Sequence, residues 1–67
     1  MRKFGALRER IKNVYGRQRE FAVAMDMNLA TLNFKLNGKS EFTRIEMERM
    51  CHLLDIPMVE IPHYFFY

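Results

Sequence analysis

Apolar residues recur every three or four positions along most of the chain, and no stretch alternates between apolar and polar residues for long. This spacing is typical of helices that bury one side. The first series predicts a helix that ends at Gly16, because glycine readily adopts a left-handed conformation. A second, shorter helix begins near Gln18. The apolar sides of these two helices consist of Phe4, Leu7, Ile11, Val14 and Tyr15, and of Phe21, Ala22 and Met25.

A third helix is indicated by its capping residue. Asn28 follows a break at residues 26–27, and an asparagine side chain at this place accepts a hydrogen bond from an amide two or three residues ahead. The predicted helix runs from about Leu29 to Asn37, where an Asn-Gly pair supplies a stop. A helical wheel places its three leucines together on the inner side, and these are Leu29, Leu32 and Leu36.

The fourth helix has the clearest start signal in the chain. Thr43 and Glu46 have the spacing of a capping box, in which each side chain binds the backbone amide of the other residue. The tail holds one more short turn or helix around residues 58–61. The predicted fold is therefore all-α, with four helices and a short C-terminal fifth in a single domain of residues 1–67. The predicted buried side of the fourth helix consists of Ile45, Met47, Met50, Cys51 and Leu54.

Length and composition limit the possible functions of the chain. A chain of 67 residues buries only about 60% of the surface that its unfolded form exposes, which leaves little room for a catalytic cleft. Cys51, His52 and His63 do not form a zinc-binding set. The chain also lacks paired carboxylates, a glycine-rich phosphate loop and a nucleophile with an adjacent base. We therefore expect no enzyme activity, no cofactor and no metal.

No apolar run is long enough for a signal peptide or a membrane span, and a single free thiol fits a reducing compartment. These features predict a cytoplasmic protein without a membrane partner. The charge is divided unevenly along the chain. Residues 1–19 carry seven basic side chains and one acidic side chain, whereas the other 48 carry four basic and seven acidic ones. A surface that faces a polyanion and an ordinary solvated helix face are both consistent with this division.

The stretch from Gln18 to Lys39, QREFAVAMDMNLATLNFKLNGK, resembles the Cro/repressor-type helix-turn-helix of temperate bacteriophages. The motif spans about residues 18–37, and the segments 15–18 and 60–66 look like those of small phage regulators of Gram-positive hosts. Two positions depart from the usual pattern: Asp26 replaces the glycine of the turn, and Arg17 replaces the Ser or Thr before the second helix. The packing positions of the motif are Phe21, Ala22, Met25, Met27 and Leu32.

The resemblance implies a lambda-repressor-like fold in which the third helix enters the major groove of double-stranded DNA. This helix has no Arg or Gln, so base contacts depend on apolar groups that touch thymine methyls and on a few hydrogen bonds. The predicted base-reading residues are Asn28, Ala30, Thr31, Asn33 and Phe34. The predicted phosphate contacts are Arg17, Gln18, Arg19, Lys35, Asn37, Lys39 and Ser40. For Phe34, a peripheral core position is the alternative.

The aromatic tail is either part of the core or an interface, and we expect a mixture with Phe65 buried and Tyr64, Phe66 and Tyr67 as interface candidates. The function implied by the resemblance is a Cro-like transcriptional regulator of a phage or prophage switch in the bacterial cytoplasm. Such a regulator binds a two-fold operator as a homodimer. The alternative is a protein-interaction module that keeps the fold and modulates a partner phage repressor. The apolar third helix and the aromatic tail favour that alternative.

Overall fold

The computed structural model describes residues 4–66, and every regular element in this part of the chain is helical. The predicted all-α class is therefore confirmed for these residues. A 3₁₀ turn at Met58–Glu60 precedes the last helix. The α-helices are α1 at Gly5–Tyr15, α2 at Gln18–Ala24, α3 at Leu29–Leu36, α4 at Arg44–Leu54 and α5 at Ile61–Phe65.

The capping residues start two helices as their sequence positions predict. The Asn28 side-chain oxygen accepts a hydrogen bond from the Ala30 amide at 2.8 Å, which begins α3. The Thr43 hydroxyl accepts from the Glu46 amide at 3.1 Å, and the Glu46 carboxylate accepts from the Thr43 amide at 2.9 Å. The capping box is thus complete. Arg17 precedes α2 without a side-chain cap, as its chemistry predicts.

Residues with a positive φ follow four of the helices, and Gly38 after α3 is one of them. Gly16 has a φ of 84° after α1, and its amide donates to the Lys12 carbonyl. Asp26 and Asp55 both have a φ of 56°, and they follow α2 and α4. Aspartate adopts this conformation more readily than most residues other than glycine, because its short side chain forms local hydrogen bonds. Asp26 therefore adopts a conformation that favours glycine in the turn between α2 and α3.

The core is shared by all five helices. Phe65 is 7% exposed and confirms the prediction that it is buried, and Leu29 is half-buried against the core as the wheel predicts. Phe42 stacks edge-on against both Phe4 and Phe65, with ring centroids 5.4 and 6.0 Å apart. The buried apolar residues are Leu7, Ile11, Phe21, Ala22, Met25, Leu32, Leu36, Met50, Cys51, Leu54, Ile56 and Phe65.

Two predicted core residues lie on the surface instead. Ile45 is 73% exposed, because at 100° per residue it lies nearly opposite Met50 and Leu54 on α4. Val14 is 48% exposed in the last turn of α1, where the neighbouring Tyr15 packs against the core instead.

Three arginines bind carbonyl groups at the ends of helices from another part of the chain. Arg8 donates to the Leu36 carbonyl at 2.9 Å, at the end of α3. Arg10 donates to the carbonyls of Leu54 and Asp55 at 2.9 and 3.1 Å, at the end of α4. Arg49 donates to the Met25 carbonyl, at the end of α2. The last carbonyls of a helix have no partner inside it, so these contacts satisfy them and join the helices.

Replacement of Arg10 by methionine tests this role, because the variant keeps most of the apolar side chain and removes both hydrogen bonds. We expect the free energy of unfolding to fall by about 1–2 kcal/mol, since two carbonyls lose a charged donor. Lys12→Met is the matched control on the same helix, where an exposed cation is removed and the change stays within about 0.5 kcal/mol. Urea denaturation measures both values. Equal losses in the two variants would contradict the assigned role.

Candidate nucleic-acid interface

α2, a four-residue connection and α3 form one hydrogen-bonded unit. The amides of Met25 and Met27 donate to the carbonyls of Phe21 and Ala22, both at 2.9 Å. The amide of Asp26 donates to a carbonyl near the end of α2 at 3.0 Å. Phe21, Ala22 and Met25 are buried, as are Leu32 and Leu36 of α3. The predicted packing positions therefore hold α3 against α2, while Met27 packs half-buried at the edge of the core.

The opposite side of α3 faces solvent. Ala30, Thr31 and Phe34 are exposed, and Phe34 has 56% of its surface accessible. The alternative of a core position for Phe34 is thereby excluded. Asn28 is exposed at the start of the helix, whereas Asn33 is half-buried at the side of this face. Four of the five predicted base-reading residues are thus exposed at the start or on the outer side of α3.

Lys35 does not belong with the other predicted phosphate contacts. Its side chain is only 10% exposed, and its ammonium lies 2.6 and 2.7 Å from the two carboxylate oxygens of Glu46. Position 35 lies at the border of the inner stripe of leucines, which turns the side chain toward the start of α4. The prediction that Lys35 contacts phosphate is wrong, because this cation is buried in an ion pair.

Glu46 joins α3 to the cap of α4. Burial alone raises the pKa of the Glu46 carboxyl, but hydrogen bonds from Lys35 and from the Thr43 amide, together with the charge of Lys35, outweigh it. The pKa of Glu46 therefore lies below its ordinary value, and the carboxylate stays charged at neutral pH. One side chain thus completes the capping box and neutralises the buried ammonium.

The remaining predicted phosphate contacts lie near the two ends of the unit. Arg17 and Arg19 are exposed at the start of α2, whereas Gln18 is half-buried between them. Lys39 and Ser40 are exposed beyond the end of α3. The side-chain oxygen of Asn37 accepts a hydrogen bond from Arg8 at 2.8 Å, so this exposed residue also has a structural contact.

The Lys39 side chain belongs to a compact unit at the end of α3, of which the sequence predicts the helix stop but not the contact between Lys39 and Phe34. Its ammonium lies 5.6 Å from the centroid of the Phe34 ring, and its backbone amide donates to the Phe34 carbonyl at 3.0 Å. The amide of Gly38, which has a φ of 79°, donates to the Lys35 carbonyl at 3.0 Å. This pair of bonds is a Schellman motif, which brings the residues after a helix back to its last turn. The Asn-Gly-Lys stop signal is the clue to this unit in the sequence.

Other chemistry is sparse in the part of the chain that the structure describes. No three His, Cys, Asp or Glu side chains among these residues lie close enough to hold a metal ion. Cys51 is a buried core residue, and burial raises the pKa of its thiol, which disfavours the reactive thiolate. None of the helices at residues 4–66 has the length and apolar character needed to cross a membrane.

Residues 2–67 match a family that is described as a protein of unknown function, DUF739. The chain belongs to the DUF739 family. None of the curated proteins compared with the chain matches it. The part of this DUF739 protein that the family match covers includes all five helices, the Lys35–Glu46 ion pair and the exposed face of α3.

Replacement of Glu46 by glutamine tests the ion pair, because the amide can still accept from Thr43 but carries no charge. At neutral pH we expect the variant to lose about 2–3 kcal/mol of unfolding free energy, since Lys35 stays buried beside a neutral group. The pKa of Glu46 is lower in the folded state than its ordinary value of 4.5, so the charged carboxylate stabilises the protein above pH 4.5. This contribution is lost as the pH falls through the folded-state pKa. The difference between the two proteins therefore shrinks below pH 4.5.

Urea denaturation between about pH 3 and pH 7 measures this effect. Glu48→Gln is the matched control on α4, where a surface pair with Arg44 at 3.3 Å is removed and little change is expected. A gap between wild type and Glu46→Gln that stays constant across this pH range would contradict the assigned pair.

Proposed function

We propose that the chain is a sequence-specific DNA-binding protein, a Cro-like repressor of a phage or prophage switch that acts in the bacterial cytoplasm. The observation that carries the proposal is that α3 has one side buried in the core and the other side exposed to solvent. Leu32 and Leu36 anchor this eight-residue helix in the core, and its outer side presents Thr31 and Phe34 to solvent. A short preceding helix, a tight turn and an outward-facing second helix are the parts with which a helix-turn-helix enters the major groove.

The fold proposed with this function is lambda-repressor-like. Its support is the order of the helices, the buried packing residues of α2 and α3, and the left-handed Asp26 in the turn between them. In this arrangement, residues at the start and on the outer side of α3 contact base edges. Asn28, Ala30 and Thr31 are the first of these, and Phe34 follows one turn later, with Asn33 at the side.

Exposed cations near both ends of the two-helix unit favour a polyanionic partner. Arg17 and Arg19 precede or open α2, and Lys39 follows α3. Each phosphate contact that such a group makes releases counterions, so it raises affinity without reading sequence. Gln18, Asn37 and Ser40 are polar groups that extend the same set. Lys35 takes no part, because its charge is neutralised inside the protein.

A two-fold operator and a homodimer belong to the same proposal. Of the tail residues predicted as interface candidates, Phe66 is 70% exposed and Tyr64 is half-buried, whereas Tyr67 lies outside the described residues. An exposed phenylalanine beside a buried one is favourable for contact with a second copy, because burial of the ring removes apolar surface from water.

A second candidate function is a protein-interaction module that modulates a partner repressor. The specific observation in its favour is that large apolar side chains are exposed on α3 and in the tail, at Phe34 and Phe66. Under this alternative the exposed face of α3 contacts a protein and has no sequence preference for DNA.

Selection of bound DNA from a random pool tests the proposed function. We expect enrichment of a palindromic site that the protein binds at least about 1,000-fold more tightly than random duplex of equal length. Replacement of both Arg17 and Arg19 by glutamine should reduce the slope of log affinity against log salt by about 0.9 for each phosphate that the variant no longer neutralises. A pool without any enriched sequence would contradict sequence-specific binding and favour the interaction module, which co-purification with a repressor would then test.

Two tail variants test the dimer. Phe65→Ala should lower the unfolding free energy by about 3 kcal/mol or more, because Phe65 is buried and packs against the Phe42 ring. Phe66→Ser should leave the melting temperature close to that of the wild type and move the sedimentation profile from dimer toward monomer. An unchanged mass distribution for Phe66→Ser would remove this residue from the proposed interface.

A further inference from the structure

The exposed face of α3 offers few groups that hydrogen-bond to bases. The helix contains no Arg, Gln, Asp or Glu, and its one lysine is buried in an ion pair. The side-chain oxygen of Asn28 accepts from the Ala30 amide, and that of Asn37 accepts from Arg8. Asparagine recognises adenine with its oxygen and its amide together, so this engagement of the oxygen disfavours that pairing at both positions.

The other groups on the exposed face of α3 are mostly apolar. Ala30 presents a methyl group, Thr31 a methyl and a hydroxyl group, and Phe34 an aromatic ring with 56% of the residue exposed. Positions 30, 31 and 34 lie within about 100° of one another around a helix. Among the four bases, only thymine carries a methyl group in the major groove, and apolar side chains recognise it there.

The Phe34 ring lies next to the ammonium of Lys39. The Schellman motif brings the backbone amide of Lys39 to the Phe34 carbonyl, and the Lys39 ammonium lies 5.6 Å from the ring centroid. The ammonium is attracted to the face of the ring, and both groups are still exposed to solvent. A positive charge therefore lies over one face of an exposed aromatic ring at the C-terminal end of α3.

From this juxtaposition we infer that the DNA site contains thymine in each half-site where it faces α3, and that Phe34 recognises its 5-methyl group while Lys39 binds a neighbouring phosphate. The inference rests on the proposed function and adds to it the chemical feature that is read. Phe34 determines specificity, because only thymine supplies an apolar group in the major groove for the ring to cover. Lys39 contributes affinity that is independent of sequence.

Deoxyuridine substitution tests the inference, because uracil pairs as thymine does and lacks only the 5-methyl group. Each thymine of the selected duplex is replaced in turn, and Kd is measured by fluorescence anisotropy. At the thymine that faces Phe34, removal of the methyl group should weaken binding by about fourfold. The same substitution at thymines that the protein does not touch should leave Kd unchanged.

Three variants test whether the weaker binding of the uracil duplex depends on Phe34 and not on Lys39. Phe34→Ala should bind the thymine and uracil duplexes equally well, because the group that distinguishes them is gone. Lys39→Gln should keep the ratio of the two Kd values and lower the salt slope by about 0.9. Val23→Ala is the matched control, since Val23 is an exposed apolar residue on α2 with 73% accessibility. All three positions are exposed, and thermal denaturation verifies that the variants fold.

The outcomes separate this inference from the proposed function. A selected duplex that binds tightly with every thymine replaced by uracil would overturn thymine reading and leave sequence-specific binding intact. A uracil effect that persists in Phe34→Ala would overturn the assignment to Phe34. A random pool that yields no enriched sequence would overturn both the proposed function and the inference.

Discussion

The orientation of α3 depends on the buried ion pair between Lys35 and Glu46. A buried ammonium without a partner would destabilise so small a protein severely, so position 35 and the start of α4 must stay in contact. Glu46 is also held by the cap of its own helix through Thr43. The pair therefore fixes one side of α3 to a structure that is locally stable. Leu32 and Leu36 alone would hold the helix by apolar packing, which resists sliding and rotation less specifically than a charged hydrogen bond.

Side-chain hydrogen bonds to helix ends provide further connections between elements. Arg8 reaches from α1 to the end of α3, Arg10 to the end of α4, and Arg49 from α4 to the end of α2. A chain of this size has a small apolar core, and charged donors on helix-end carbonyls add contacts at its periphery. Two cations of the basic N-terminal segment thus have structural roles. The uneven charge along the chain consequently overstates the charge that remains for a polyanion.

Local signals account for what the sequence predicts well. Asn28, Thr43 and Glu46 act on amides within three residues, and Gly16 ends its helix through its own backbone freedom, so these elements are readable without knowledge of the fold. The pairs that position α3 are different in kind. Lys35 and Glu46 are 11 positions apart, and Arg8 and Leu36 are 28 apart, with no local pattern that links them. A surface position for Lys35 is the natural expectation from sequence, because lysine is usually exposed and its distant partner cannot be read from the neighbouring residues.

The anchoring of α3 has a consequence for how proteins of this kind diversify. The residues that secure the helix lie on its inner side and its border, and the outward residues Ala30, Thr31 and Phe34 are not part of the buried core. Under the proposed function, stability and target preference therefore depend on separate positions of one eight-residue segment. If α3 reads DNA as proposed, a lineage can exchange the outward set for another and keep the same fold, so that α3 acts as a replaceable reading surface on a constant support.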